Sequence, residues 1–280
     1  MIVDVHAHVF PPRVAAERHR FLAQDATFAE LYAAPKAALA TEADLRRSMA
    51  DAGIDVSVGL GFAWQDEATC RWHNDYLLES AAASGGRLLP FCNLPLGAGA
   101  ERVAAEAERC LQAGARGFGE LRPESQGCDL AGETGARLAR IAREADVALL
   151  FHVSEPVGHA YPGKEGLSLA AFAAFASRWP DLKTIGAHWG GGLPFYASMP
   201  EVAAALEHTH FDTAASSLLY RDDVYERGVA LAGAVHVLYG SDFPLLAQSK
   251  SRARIEASGL GAAAKALVLG ENARRLLKLE

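Results

Sequence analysis

The segment Val3-Asp4-Val5-His6-Ala7-His8 sets two imidazoles two residues apart at the end of an apolar, β-branched run. On a strand, residues i and i+2 leave the same face, so both rings can close on one metal ion. Imidazole nitrogen is a common ligand of zinc and other transition ions, bound at about 2.0–2.1 Å. The pair becomes a site only if further donors arrive from elsewhere in the chain. Glu120, His152, His188 and Asp242 are such donors, and each ends a short apolar run.

These residues need elements that bring them together. Strands are predicted at residues 2–9, 55–62, 87–94, 115–121, 147–153, 183–188, 209–214 and 235–241. Most are continuous apolar runs, as buried parallel strands are. Helices are predicted between them, at 41–53, 66–84, 98–113, 132–145, 168–179 and 222–232. The first opens with Thr41-Glu42-Ala43-Asp44, a capping-box pattern. Eight strands alternating with helices give an α/β fold, a (β/α)8 TIM barrel, as one domain over residues 1–280. The rival, an open doubly wound sheet, lacks its G-x-G-x-x-G signature after the first strand. Residues 11–35 are long for one connection and are expected to form an insert after strand 1, over the barrel mouth.

A barrel builds its site from the C-terminal ends of several strands. His6 and His8 end strand 1, Glu120 strand 4, His152 strand 5, His188 strand 6 and Asp242 strand 8. All six candidate ligands therefore belong to one rim. A second His-x-His, His208-Thr209-His210, opens strand 7 and belongs to the opposite rim, so it reads as structural. Arg122, two residues past Glu120, is expected to fork onto a substrate carboxylate. Trp64, Asn93, Trp189, Phe195 and Phe243 follow other strand ends and are expected to line the pocket.

Composition narrows the partners. The chain carries 27 Lys+Arg against 34 Asp+Glu, a net charge of −7, which argues against a nucleic-acid surface. No run of 18 apolar residues exists, so no membrane span is expected. Asp4, His6 and His8 interrupt the N-terminal apolar run, and no signal peptide is expected. The four cysteines, Cys70, Cys92, Cys110 and Cys128, show no C-x-x-C spacing and read as reduced packing thiols of a cytoplasmic protein. The expected partner is a small-molecule substrate, with a homodimer as the expected assembly.

The chain resembles the amidohydrolase superfamily, within it the amidohydrolase-related group that includes aminocarboxymuconate-semialdehyde decarboxylase. The resemblance spans nearly the whole chain. It rests on the opening Asp4-Val5-His6-Ala7-His8, on Phe151-His152, on Gly186-Ala187-His188-Trp189-Gly190-Gly191, and on Tyr239-Gly240-Ser241-Asp242-Phe243-Pro244. It implies that His6, His8, His152 and Asp242 hold one divalent ion, zinc foremost and manganese as the variant. It implies that His188 is either a ligand of a second ion or a catalytic group beside the metal-bound water. Many members have lysine or no ligand at strand 4. Glu120 looks more like the TatD-type relatives, where a glutamate bridges two metals, so the site is expected to hold one or two ions.

On this reading the expected reaction is hydrolysis of a small ester, lactone or amide. A bound ion would generate hydroxide, Asp242 would move the water proton, and His188 would stabilise the oxyanion. The alternative is a non-oxidative decarboxylase using the same site. A catalytically silent metal-binding barrel is a third reading.

Overall fold

The computed structural model describes residues 1–280. Eight strands form the barrel: β1 (Val3–His8), β2 (Val56–Leu60), β3 (Leu88–Cys92), β4 (Gly117–Leu121), β5 (Ala148–Phe151), β6 (Thr184–Gly186), β7 (Thr209–Asp212) and β8 (Val237–Leu238). Each pairs in parallel with the next in chain order. The ring closes where the β1 segment meets the chain after β8. Val5 N–H donates to Tyr239 O, Asp242 N–H to His6 O and His8 N–H to Phe243 O. Connecting helices include Glu42–Ala52, Glu67–Ala82, Ala100–Gln112, Glu133–Glu144, Leu169–Arg178 and Val224–Ala232. The fold is the expected single-domain (β/α)8 barrel.

One apolar cluster takes Val3, Val5, Val58, Leu60, Leu89, Phe91, Leu150, Ile185 and Leu238 from six strands, with Leu276 and Leu277 from the C-terminal segment. Residues from that many strands meet only inside the ring, so this cluster fills the barrel below the polar rim. The expected insert is helical, at Pro12–Ala16, Arg18–Gln24 and Ala26–Tyr32. It buries Phe21 and Phe28 against Phe10, Phe62 and Trp64, a small aromatic core of its own. No helix is long and apolar enough to cross a membrane.

Two irregularities in the ladder bear on the site. The β1–β2 register shifts between Asp4 and Ala7, and the β4–β5 register shifts between Phe118 and Leu121. In each pair one strand carries an extra residue, a bulge that turns side chains away from strict alternation. The first bulge contains His6 and the second contains Glu120. Both strands thus break their pleat where a donor must turn to the rim.

Candidate metal centre

Six donors converge at the C-terminal rim. His6 Nε2 lies 3.1 Å from His8 Nε2, 3.9 Å from Glu120 Oε1 and 3.7 Å from Asp242 Oδ1. His8 Nε2 is 3.5 Å from Glu120 Oε2 and 3.7 Å from Asp242 Oδ1. His152 Nδ1 is 3.0 Å from Glu120 Oε1. His188 Nε2 is 3.9 Å from Glu120 Oε1 and 3.7 Å from Asp242 Oδ2. Donors bound at about 2.1 Å stand about 3.0 Å apart at a right angle and about 3.4 Å apart at a tetrahedral one. The observed spacings straddle these values. Glu120 reaches both the His6–His8 half and the His152–His188 half, so the cluster can take one ion or a bridged pair.

The electrostatics also fit a cation. Asp212 accepts His6 Nδ1–H at 2.8 Å, which leaves the Nε2 lone pair facing His8. Two imidazole nitrogens 3.1 Å apart need a proton or a cation between them. Burial opposes a charge on His6, yet Asp212, Glu120 and Asp242 outweigh it and push its pKa up to about 10. Burial, then the charge on His6, depresses His8 to about 4. Asp242 resists burial through the close approach of His188 and the other neighbouring imidazoles, and falls to about 2. Glu120 is likewise held well below the usual range, where His152, His6 and His188 override burial. The carboxylates are therefore ionised in a buried place, where unpaired charge is costly. A divalent ion is the group that would compensate them.

Strain is stored around the rim. His188, Trp189 and Asp242 have φ of 55°, 58° and 64°, left-handed values that cost a non-glycine residue about 1–3 kcal/mol. Each is held from several sides. Asp212 Oδ1 accepts His188 N–H at 2.9 Å. Asp4 accepts Ser241 N–H at 2.9 Å, Ser241 O–H at 2.6 Å, Gln248 at 2.7 Å and His6 N–H at 3.1 Å, binding the β1 bulge to the turn that carries Asp242. Asp4 and Asp212 were not among the sequence candidates. Position offered a clue for both: Asp212 ends β7, and Asp4 precedes His6 by two residues.

The remaining sequence candidates lie in other surroundings. Trp189 is turned away from the donors; its indole N–H donates to Ser216 Oγ at 2.8 Å, and Gly228 leaves room for the ring. It anchors the strained His188 turn. Trp64 lies in the aromatic core of the insert and donates to His73 Nδ1 at 2.9 Å. Asn93 stands behind Glu120 and donates to its carbonyl at 2.6 Å. Phe195 is exposed against Tyr220, and Phe243 packs along the closure seam. Arg122 is buried next to His152: its Nη2 donates to Gly163 O and Glu165 O, while Nε has no partner. His210 packs against His236, two residues before Asp212.

The Amidohydrolase family model matches residues 3–279. No curated protein sequence matches the chain. Among solved structures, 5-carboxyvanillate decarboxylase from Sphingomonas paucimobilis is similar at a TM-score of 0.82 and 16% identity, over 100% of this chain and 99% of that one. A 2,6-dihydroxybenzoate decarboxylase from Rhizobium gives 0.75 and 20%, over 99% and 98%. A dihydroxybenzoic acid decarboxylase from Polaromonas, with bound manganese and 2-nitroresorcinol, gives 0.76 and 19%, over 99% and 97%. At these identities the likeness establishes the fold. It also corrects the expected reaction: these neighbours are named for decarboxylation, so hydrolysis of an ester, lactone or amide is set aside.

Proposed function

Because this chain belongs to the amidohydrolase family, we propose that it is a metal-dependent decarboxylase, removing carbon dioxide without oxidation from a small hydroxylated aromatic acid. His6, His8 and Asp242, with Glu120 and His152, would hold a divalent ion. Imidazole and carboxylate donors accept manganese and zinc alike, and the similar Polaromonas enzyme carries manganese. Bound there, the ion supplies positive charge that offsets the buried carboxylates and attracts the substrate carboxylate and an adjacent oxygen.

The observation that carries this reading is how Asp242 divides its two oxygens. Oδ1 faces His6 and His8 at 3.7 Å each, and Oδ2 faces His188 at 3.7 Å. One residue thus joins the ion-binding half of the site to a group that can carry a proton. Burial alone would discharge His188, but the nearby Asp242 carboxylate and the charge of Glu120 raise its pKa above 6.5. In this scheme His188 is the proton donor and Asp242 Oδ2 keeps it aimed and charged. The proton passes to the ring carbon that bears the carboxylate. The carbon–carbon bond then breaks, its electron pair returns to the ring, and carbon dioxide leaves. Arg122 provides a fixed positive charge beside His152 for the anionic substrate; that charge, after burial, is the next largest influence lowering the His152 pKa.

The test is a panel of carboxyl-labelled hydroxybenzoates, 2,6-dihydroxybenzoate and 5-carboxyvanillate among them, offered to metal-loaded protein in deuterated water. Release of labelled carbon dioxide, with one deuterium at the vacated carbon, is the expected result. Product formed by net addition of water, without carbon dioxide, would overturn the proposal.

A further inference from the structure

Two short strands, Val153–Ser154 and Leu167–Ser168, pair beside the rim. The loop between them carries one residue, Gly163, whose backbone touches three parts of the site. Gly163 N–H donates to Glu30 Oε1, on the last helix of the insert, at 2.6 Å. Its carbonyl accepts His152 Nε2–H at 2.9 Å and Arg122 Nη2–H at 3.0 Å. The position is closed to larger residues. Its φ is +85°, and a Cβ there would sit 2.4 Å from Leu31 Cδ2.

We propose that Gly163 is a positioning residue for the metal centre, fixing which ring nitrogen His152 offers to the ion and tying that choice to the insert. This rests on the reading of His152 as a metal ligand. A neutral imidazole has one N–H and one lone pair, and the partner of one nitrogen decides the state of the other. Two groups compete at Nε2: the Gly163 carbonyl at 2.9 Å and Ser154 Oγ at 3.2 Å. A hydroxyl can donate or accept, so Ser154 fits either tautomer. A carbonyl can only accept, so Gly163 requires the proton on Nε2. Glu120 Oε1, 3.0 Å from Nδ1, is an acceptor too and favours a proton there in the metal-free site; when a cation replaces that proton, the Nε2–H held by Gly163 leaves the Nδ1 lone pair free to bind it. Without the Gly163 carbonyl, Ser154 can donate to Nε2, the proton moves to Nδ1 against Glu120, and the ligand is lost. Glu30 holds the Gly163 N–H and Leu31 packs against its Cα, which fixes the carbonyl on the next peptide, so the insert contributes to the site without touching the ion.

The experiment measures Mn2+ and Zn2+ affinity of the full chain by chelator competition, with the tautomer of His152 read from nitrogen chemical shifts of the metal-free protein. Gly163→Ala should weaken binding by about 10–100-fold, the usual effect of losing an outer partner of a ligand histidine. It should also shift His152 toward the Nδ1–H form. Adding Ser154→Ala to Gly163→Ala removes the competing donor and should recover part of the affinity, a rescue that general loosening of the loop would not give. If Gly163→Ala disturbs folding, the exposed Glu30 decides: Glu30→Ala should weaken binding and Glu30→Gln, which keeps an acceptor oxygen, should not. Affinity within about two-fold of wild type in folded Gly163→Ala, or equal affinities in the two Glu30 variants, would overturn the proposal. Wild-type protein that binds no ion would overturn the metal-site reading beneath it.

Discussion

At the scale of single residues, the site depends on carboxylates that each serve two neighbours. Asp242 faces the paired imidazoles with one oxygen and His188 with the other. Asp242→Asn removes the charge from both faces while keeping the shape. Turnover should fall by about 10²–10⁴-fold, with the circular-dichroism spectrum unchanged; retained turnover in the metal-loaded variant would contradict the assignment. Asp212 orients His6 through Nδ1 and pins the His188 backbone. Asp212→Asn should lower metal affinity by about 10–100-fold in chelator competition. The six donors were legible in the sequence because each ends an apolar run. Asp4 and Asp212 were less so, since an aspartate at a strand end has many uses and their partners lie 237 and 206 residues away. Arg122 also shows the limit: its type and spacing were visible, but its grip on the Gly163 and Glu165 carbonyls depends on a loop with no periodicity.

At the scale of elements, each donor is aimed by a local break in regular structure and backed by buried polar links. Behind Glu120 the links run outward through Asn93 and Asn74 to Glu106 and Arg109 on the helix Ala100–Gln112. Glu106 resists burial through its bonds to Arg109 and Asn74, and its pKa lies below the ordinary 4.5. A carboxylate depressed by folding adds stability above its unfolded pKa and loses it as pH falls. Denaturant midpoints of the wild type should therefore drop on acidification from about pH 7 to about pH 4, and those of Glu106→Gln should drop less. An equal drop would show that the bonds to Glu106 do not matter to stability. Trp189 does similar work behind His188. Trp189→Phe keeps most of the ring volume but loses the Ser216 bond, and it should cost about 1–3 kcal/mol in chemical denaturation. No sequence pattern marked that inward turn; the Trp-Gly-Gly stretch reads equally as a loop facing substrate. The bulges at His6 and Glu120 were equally silent, because an extra residue in one strand shows only against its partner.

At the scale of the whole molecule, closure of the barrel converts linear order into a site. Eight short apolar runs at βα spacing were enough to read the ring, and the rule that function gathers at one rim selected the donors and set aside His208-x-His210. The insert was legible as surplus length, but not as three helices with an aromatic core, since its residues alternate too briefly to show a face. The most direct test of the account is diffraction from metal-loaded crystals at the absorption edge of the added ion. The account predicts an anomalous peak within about 2.0–2.3 Å of His6 Nε2, His8 Nε2 and an Asp242 oxygen. Loaded protein with no peak at that rim, or with its ion elsewhere, would contradict it.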